Sequence, residues 1–405
     1  MKKNKLFAAI AAGVISMSFL LCSCSDNTKT SEPADSTVEQ SDTSDSVEPD
    51  VPKDIPKDHG EMRGLTAKEL IAEMKTGWNL GNSLDSIGAD ETAWGNPVTT
   101  KEMIDAVSAQ GFDILRVPVT WGQHMGPGTN YTVDPEFMAR VVEVVDYGID
   151  NGMYVILDTH HEPDSWLRPQ SESMEKVEPK FADLWRQISE QFADYGDHLI
   201  FEGLNEARIK GSANEWTGGT QDERECVNRL NKIFVDTVRA TGGKNSQRLL
   251  LVSTYAQAVT NSAFDGFVAE YDQYTGVSVH AYTPYSFTYH SGESYETFKW
   301  DGREKNSIAG VFKLIDEQLI SKGIPVMITE YGAVRKQLED GTYNTEDVIA
   351  WLGDYLGAAK EHGIPCVWWD NNYYNSGNEL FGIFDRGSCE WSAKEIADAI
   401  VDLYK

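Results

Sequence analysis

Residues 135–159 read PEFMARVVEVVDYGIDNGMYVILDT, and this stretch contains the unit from which the rest of the chain is built. Its first part predicts a helix over residues 135–151, because apolar residues recur three and four positions apart. These apolar residues are Phe137, Val141, Val144, Val145 and Ile149. Gly152 suits the left-handed position that closes a helix. The short apolar run at 154–159 then predicts a buried strand.

The same alternation continues from about residue 62 to the end of the chain. The eight apolar runs are residues 77–82, 114–119, 154–159, 199–206, 248–254, 277–282, 325–331 and 366–371. The clearest helical stretches are residues 101–110, 135–151, 180–195, 222–240, 309–322 and 345–361, with a last one at 391–403. Several helices precede a glycine that fits a left-handed end, namely Gly111, Gly152, Gly196, Gly323 and Gly363.

This alternation of eight strands with eight helices predicts an α/β fold, the (β/α)8 TIM barrel. A doubly wound open sheet is the alternative. To bind a nucleotide, such a sheet would use a Gly-rich phosphate turn after an early strand, and we find no such turn in the sequence. We therefore expect one barrel domain over residues 62–405.

Length and charge narrow the function classes. The 405 residues allow one large domain or two small ones. Acidic residues outnumber basic ones by 64 to 35, a formal charge of −29 that disfavours nucleic acid and anionic membranes as ligands. The five cysteines show neither a disulfide framework nor a metal-ligand spacing. A neutral substrate fits this composition best.

The first 61 residues predict export and a tether. Residues 1–24 have a lysine-rich start and an apolar stretch, the form of an export signal. Leu21-Cys22-Ser23-Cys24 resembles the cleavage box of bacterial lipoproteins, which predicts a lipid on Cys24, with ordinary cleavage and release as the alternative. Residues 25–61 are rich in Ser, Thr, Asp, Glu and Pro, so we expect a disordered acidic linker. The protein would then act outside a bacterial cell, secreted or attached to its surface.

Polar side chains stand where the predicted strands finish, and a barrel of this kind has its active site at those ends. Glu206 and Glu330 are the clearest cases, since each directly follows an apolar run. Cleavage of a glycosidic bond needs two carboxyls, one protonated to assist the leaving group and one ionised. The alternative for each glutamate is a structural ion pair with a nearby arginine.

Seven strand-end segments together resemble glycoside hydrolase family 5, and within it the bacterial endo-β-1,4-glucanases. The segments are Gly77-Trp-Asn-Leu-Gly-Asn82, Arg116-Val-Pro-Val-Thr-Trp121, Asp158-Thr-His-His-Glu162, Phe201-Glu-Gly-Leu-Asn-Glu206, Val279-His-Ala-Tyr282, Ile328-Thr-Glu-Tyr-Gly332 and Trp368-Trp-Asp-Asn371. They occur in the family's order within residues 62–404. The resemblance implies an enzyme, active as a monomer on a β-glucan polysaccharide, without a cofactor or a metal ion.

The resemblance also implies a role for each matching residue. Glu206 corresponds to the general acid/base and Glu330 to the nucleophile of a retaining mechanism. Arg116 and Tyr282 correspond to residues that hydrogen-bond the nucleophile, and Asn205 corresponds to an amide that contacts the sugar's 2-hydroxyl. The other expected site residues are His160, His161, His280, Trp369 and Asn79. One departure is Ala207, which stands where the family often has proline.

Physical chemistry adds three expectations for the pair of glutamates. Double displacement through a covalent intermediate requires the two carboxyls to be about 5 Å apart. The pKa of Glu206 should be raised beside an ionised Glu330, because like charges resist a second ionisation. Arg116 should oppose that effect at Glu330 by favouring its charged form.

Other functions remain open from the residues alone. His160-His161-Glu162 with Asp164 could bind a metal ion, although metal-dependent barrel hydrolases often carry a His-x-His on the first strand, where this chain has no histidine. A non-catalytic carbohydrate-binding lipoprotein would not need both glutamates. Xyloglucanase, lichenase, xylanase and mannanase activities also stay open, because loop shape selects the substrate.

Five tryptophans in predicted loops could provide flat surfaces on which sugar rings stack, with ordinary packing as the alternative. They are Trp94, Trp121, Trp166, Trp216 and Trp300.

Overall fold

The computed structural model describes residues 59–289 and 296–405, in which eight parallel strands close into a barrel. The strands follow chain order, and β1 pairs with β8 to complete the circle. They are β1 (Thr76–Leu80), β2 (Ile114–Val117), β3 (Tyr154–Asp158), β4 (Leu199–Glu202), β5 (Leu250–Ala258), β6 (Thr275–His280), β7 (Val326–Tyr331) and β8 (Cys366–Asp370). The predicted (β/α)8 barrel is confirmed, and each predicted apolar run overlaps a strand.

Helices surround the barrel, with short additional helices in its loops. They are α1 (Ala67–Ile71), α2 (Lys101–Gln110), α3 (Pro135–Asp150), α4 (Ser171–Gln191), α5 (Gln221–Ala240), α6 (Asn261–Phe264), α7 (Tyr285–Thr288), α8 (Lys305–Gln318), α9 (Thr345–Glu361) and α10 (Lys394–Asp402). Helix α4 begins earlier than predicted and continues through Pro179, because its first turns bury Met174 and Val177. Helix α10 begins later than predicted, because residues before it form a small hairpin, β9 (Phe384–Asp385) with β10 (Glu390–Trp391).

Two apolar layers hold the barrel together. The inner layer includes Ile114, Ile156, Ile200 and Met327, which share a cluster with the apolar residues of α1. The outer layer packs the strands against the surrounding helices. Because α1 packs with these inward-facing residues near the strands' N-terminal ends, the C-terminal ends are the side on which a substrate site can open.

The chain contacts the barrel from the first described residue. The carbonyl oxygen of His59 accepts a hydrogen bond from the backbone N–H of Gly196 (2.9 Å), and the His59 ring stacks on Tyr195 with centroids 3.9 Å apart. Gly196 is not left-handed as predicted; a Cβ there would lie 2.4 Å from the carbonyl oxygen of Glu61. Residues 59–61, predicted as linker, therefore pack on the domain.

The other N-terminal predictions lie outside the described residues, namely the export signal at 1–24, the lipid on Cys24 and the linker up to residue 58. Within residues 59–289 and 296–405, no helix has the length and the apolar character that crossing a bilayer requires.

Candidate active site

Arg116 is the centre of the site at the C-terminal ends of the strands. It projects from β2 and is fully buried, so every N–H of its guanidinium needs a protein partner. Its acceptors are Glu202 Oε2 (2.6 Å), Glu330 Oε1 (2.7 Å), Asp158 Oδ2 (2.7 Å), Asn205 Oδ1 (2.9 Å) and Asn79 Oδ1 (3.0 Å). One cation thereby fixes side chains from four strands and the loop after β4.

Glu330, at the end of β7, is held by two donors. Arg116 donates to Oε1 at 2.7 Å, and the Tyr282 hydroxyl donates to Oε2 at 3.0 Å. Burial and the charge of Glu330 raise the pKa of Tyr282 well above its ordinary value, so this hydroxyl keeps its proton. The carboxylate of Glu330 is therefore oriented by donors that remain protonated throughout the neutral pH range.

Glu206 lies in the loop after β4, in an unusual backbone conformation with φ of 45°. Its Oε1 is 3.1 Å from His280 Nδ1, which is also 3.5 Å from Glu330 Oε2. Its Oε2 is 3.5 Å from Arg208 Nη1. Single ligand atoms of Glu206, His280 and Glu330 all lie within 4.8 Å of one another. The structure thus brings the two glutamates to one point, as the sequence predicts.

The pKa of Glu206 shifts in the direction opposite to the prediction. Burial alone would raise the pKa of Glu206, but the hydrogen bond and charge of His280, with the charge of Arg208, lower it to about 2. Burial raises the pKa of Glu330, although His280 and Arg116 oppose this. The expected raised pKa of Glu206 is therefore wrong for the site without substrate, because sequence reasoning did not place Arg208 beside it or give the distance of His280 from its carboxylate.

His160 and Trp369 form an adjacent aromatic wall. Their rings are parallel within 2°, with centroids 5.7 Å apart. His160 Nδ1 is 2.7 Å from Asp158 Oδ2, and burial lowers the pKa of His160 well below its ordinary value, so the ring is neutral. Trp369 packs on Gly81, where a Cβ would lie 2.7 Å from the indole. This pair can present a flat, uncharged surface to a sugar.

The sequence of this chain matches a known protein family. The profile of the family described as Cellulase (glycosyl hydrolase family 5) matches residues 76–375, about three quarters of the sequence. The chain belongs to glycoside hydrolase family 5. The resemblance predicted from the strand-end segments is thereby confirmed.

This family 5 protein has similar relatives among bacterial enzymes. Endoglucanase A of Ruminococcus albus is 53% identical over 348 residues, 85% of this chain and 94% of that protein. A crystal structure of a xyloglucan-specific endo-β-1,4-glucanase from a metagenomic library, with cellotriose, is 42% identical at a TM-score of 0.79, covering 83% and 98% of the two chains. A broad-specificity endoglucanase from Ruminococcus champanellensis with cellotriose is 40% identical at 0.79, covering 84% and 100%.

Asn79 is placed differently from its predicted role in this family 5 site. It is fully buried, and its Nδ2 donates to the carbonyl oxygens of Thr329 (3.0 Å), Trp368 (3.2 Å) and Val367 (3.3 Å). Because its Oδ1 accepts a hydrogen bond from Arg116, both ends of the Asn79 amide are bonded to other residues of the barrel. Asn79 therefore supports the ends of β7 and β8 from inside the barrel, whereas Arg116 donates to the Glu330 carboxylate as the resemblance implies.

Sequence reasoning missed four residues of the site: Asp85, Glu202, Arg208 and Gln257. Glu202 follows inward-facing Ile200 by two positions, so the period-two pattern of a strand was an available signal. Asp85 pairs with His161 (Oδ2 to Nε2, 3.7 Å). Burial would lower the pKa of His161, but its hydrogen bond and charge interaction with Asp85 raise it.

The structure separates the residues of the alternative metal cluster. Glu162 points away from the histidines and accepts hydrogen bonds from the backbone of Trp121 and Gly122 and from the Trp166 indole. Asp164 pairs with Lys210 at 2.8 Å. The two histidines meet Asp85 instead, so the predicted grouping does not form.

The candidate tryptophan platforms divide into two groups. Trp121 and Trp300 are buried and serve packing, and the half-buried Trp166 belongs with them because its indole donates to Glu162. Trp94 is partly exposed and contacts His161 with centroids 5.4 Å apart. Trp216 is 47% exposed, and the Arg208 guanidinium lies 4.4 Å from its ring. Trp94 and Trp216 reach solvent beside His161 and Arg208, so they are the better platforms.

Proposed function

We propose that this protein is an endo-acting β-1,4-glucanase that hydrolyses internal bonds of β-glucans with retention of configuration. The observation that carries the proposal is the separation of the carboxyls, with an oxygen of Glu206 within 4.8 Å of an oxygen of Glu330. Retaining enzymes have carboxyls about 5 Å apart, whereas inverting enzymes leave about 6.5–9.5 Å for a water.

In the first step, Glu330 attacks the anomeric carbon and Glu206 protonates the departing oxygen. Arg116 and Tyr282 keep the Glu330 carboxylate aimed and ionised. His280 Nδ1 lies 3.1 Å from Glu206 Oε1 and 3.5 Å from Glu330 Oε2, so this ring holds the acid/base beside the nucleophile. Glu206 acts as the acid in its protonated form, which the negative charge of Glu330 beside it favours.

In the second step, Glu206 acts as the base. It removes a proton from water, which attacks the anomeric carbon of the glycosyl ester and breaks its bond to Glu330. Both carboxyls return to their starting states. The neutral His160 and the ring of Trp369 lie beside the reacting sugar. They add no positive charge that would repel the developing oxocarbenium ion.

The choice of substrate is supported by the relatives and by the aromatic residues. The relatives above are named endoglucanases, and two of their structures contain cellotriose. Other family relatives include a lichenase from Caldicellulosiruptor sp. F32, 35% identical with a TM-score of 0.77. We therefore expect activity on linear β-1,4-glucan, with xyloglucan and mixed-linkage glucan as the nearest alternatives, ahead of xylan and mannan.

A substrate panel combined with two variants tests the function. Reducing sugar and viscosity are measured on carboxymethylcellulose, mixed-linkage glucan, xyloglucan, xylan and mannan. Endo action predicts a fall in viscosity before much reducing sugar appears. Glu206→Gln and Glu330→Gln should each remove nearly all turnover, whereas the matched surface variant Glu178→Gln, which breaks an ion pair with Arg229, should not. An α-anomeric first product, or full activity in either site variant, would refute the mechanism; loss of activity with a strong chelator would favour the metal-dependent alternative.

We also propose that the chain is exported and anchored by a lipid on Cys24. The support is the sequence alone, a signal-like segment that ends in Leu21-Cys22-Ser23-Cys24. Palmitate labelling in a bacterial host should mark the wild type and Cys22→Ala but not Cys24→Ala. Labelling of the Cys24 variant, or an unlabelled wild type released into the medium, would contradict the anchor.

A further inference from the structure

Three non-glycine residues with left-handed backbones meet beside the acid/base. Glu206 has φ of 45°, Ala256 of 53° and Gln257 of 49°. L-residues rarely adopt this conformation, and they keep it only when their surroundings hold them there. The Ala256 N–H donates to the carbonyl oxygen of Ala207 at 3.0 Å. The loop that carries Glu206 is therefore joined to the irregular end of β5.

The β4–β5 ladder ends before Glu206. Strands β4 and β5 pair only at Phe201 with Leu250 and at Glu202 with Leu251. Beyond them the register of β5 against β6 shifts between Ser253 and Ala258. The chain carrying Glu206 has thus left the ladder. Backbone hydrogen bonds hold its neighbours, since the Asn205 N–H donates to the carbonyl oxygen of Thr159 at 3.1 Å, but the N–H of Glu206 itself is bonded by a side chain.

That side chain belongs to Gln257. It is fully buried, and its Oε1 accepts the backbone N–H of Glu206 at 2.7 Å. Its Nε2 donates to Glu202 Oε1 at 2.8 Å and to Ser278 Oγ at 2.7 Å. A primary amide can accept at one end and donate at the other without carrying a charge, which is what this position requires.

The same contacts continue to the nucleophile. Glu202 Oε2 accepts from Arg116 Nε at 2.6 Å, and Arg116 Nη1 donates to Glu330 Oε1 at 2.7 Å. An unbroken buried series therefore joins the Glu206 backbone to the Glu330 carboxylate through Gln257, Glu202 and Arg116. We propose that Gln257 is a positioning residue that sets the orientation of Glu206 relative to Glu330, an inference that rests on the proposed function.

Loss of Gln257 should weaken the proton-transfer steps and spare the nucleophile. We expect Gln257→Met to lower kcat/KM on β-glucan by about 100-fold, since a misplaced acid loses the 10²–10⁴-fold that general acid–base catalysis supplies. On 2,4-dinitrophenyl β-cellobioside, whose leaving group needs no proton, the loss in the first step should stay below about 5-fold. Azide should then raise turnover and form a β-glycosyl azide, because it replaces the water that Glu206 would activate.

Two further variants make the result specific. Asn231→Leu removes another fully buried amide, one that bonds the β5 backbone at Ser253 but not the acid/base, and should affect both substrates by the same factor without azide rescue. Gln257→Glu should gain activity relative to wild type as pH falls, because a protonated glutamate has the shape of glutamine, an oxygen that can accept from the Glu206 N–H and one O–H that can donate to Glu202. This second readout decides the question if Gln257→Met does not fold.

The inference is overturned if both substrates slow equally in Gln257→Met, or if azide rescues Glu206→Ala but not Gln257→Met. It is also overturned if the Gln257→Glu profile follows that of the wild type. Failure of the proposed function is a separate result, since the wild type itself would then hydrolyse neither substrate.

Discussion

The hydrogen bond from Tyr282 to Glu330 allows a quantitative prediction. In Tyr282→Phe the nucleophile loses its donor at 3.0 Å, while the ring stays in place through its contact with Phe381, whose centroid is 5.6 Å away. A hydrogen bond to a charged group contributes about 1.5–3 kcal/mol, and one pKa unit corresponds to about 1.4 kcal/mol. We expect the lower end, about one unit, because Arg116 still holds the other oxygen at 2.7 Å.

The sign follows from the protonation state that the reaction needs. Removing a donor destabilises the carboxylate, so the pKa of Glu330 rises above the value that burial has already raised from 4.5. The nucleophile must be ionised, and activity is lost as pH falls through that pKa. The acid limb of kcat/KM should therefore move about one unit to higher pH in the variant.

Initial rates on 2,4-dinitrophenyl β-cellobioside between about pH 3.5 and 8 measure this limb, because the leaving group needs no help from Glu206. Tyr331→Phe is the matched control. Its ring packs on the outer face of the barrel, stacked on Tyr355 with centroids 5.1 Å apart, and its hydroxyl forms no hydrogen bond with Glu330 in the described structure. An unmoved limb in Tyr282→Phe, a shift to lower pH, or an equal shift in the control would refute the reasoning.

Three further predictions follow from the walls of the site. Gly81→Ala should lower kcat/KM by about 10–100-fold, because the new methyl would lie 2.7 Å from the Trp369 ring and displace it. Asp85→Asn should lower the free energy of unfolding by about 2–3 kcal/mol at pH 6, and by less at pH 9, as measured by urea titration. The reason is that the pKa of His161 is raised in the folded state. The stability that its charge contributes is therefore complete below about pH 6.5 and is lost as pH rises past the raised pKa. Trp216→Ala should raise KM for β-glucan several-fold and leave dinitrophenyl cellobioside unchanged, since this half-exposed ring would contact only a longer chain.

Each of these has a result that contradicts it. For Gly81, the control is Gly310→Ala, a helical position with open space around its Cβ, which should keep full activity; equal losses in both would remove the steric explanation. A stability loss in Asp85→Asn that does not change with pH would argue against the charge pair. A similar change in KM on both substrates would contradict the prediction that only a longer chain contacts Trp216.

Part of the site was predictable because strand ends converge in a barrel. Glu206, His280, Tyr282 and Glu330 finish or follow apolar runs, so the topology alone brings them together. Glu202 and Gln257 were missed for a different reason. Glu202 lies within a strand, four residues before the glutamate that ends the motif, and Gln257 lies inside a shift of register that no local pattern indicates.

The division of charge between Glu206 and Glu330 was the property that the sequence predicted least well. The lowered pKa of Glu206 depends on His280 and Arg208 lying within 3.5 Å of its two oxygens, and such distances are set by loop conformation. Asn79 was misjudged in the same way, because a polar residue at a strand end faces either the cleft or the barrel interior, and residue order does not distinguish the two.

The amino-acid sequence by itself determined the barrel, its strand order and the family, because apolar periodicity and short motifs are local along the chain. Only the tertiary structure decided which polar groups share protons, which are buried supports and how the acid/base is held. Those properties depend on distances of a few ångströms between residues far apart in sequence, and electrostatic and hydrogen-bond energies change steeply over such distances.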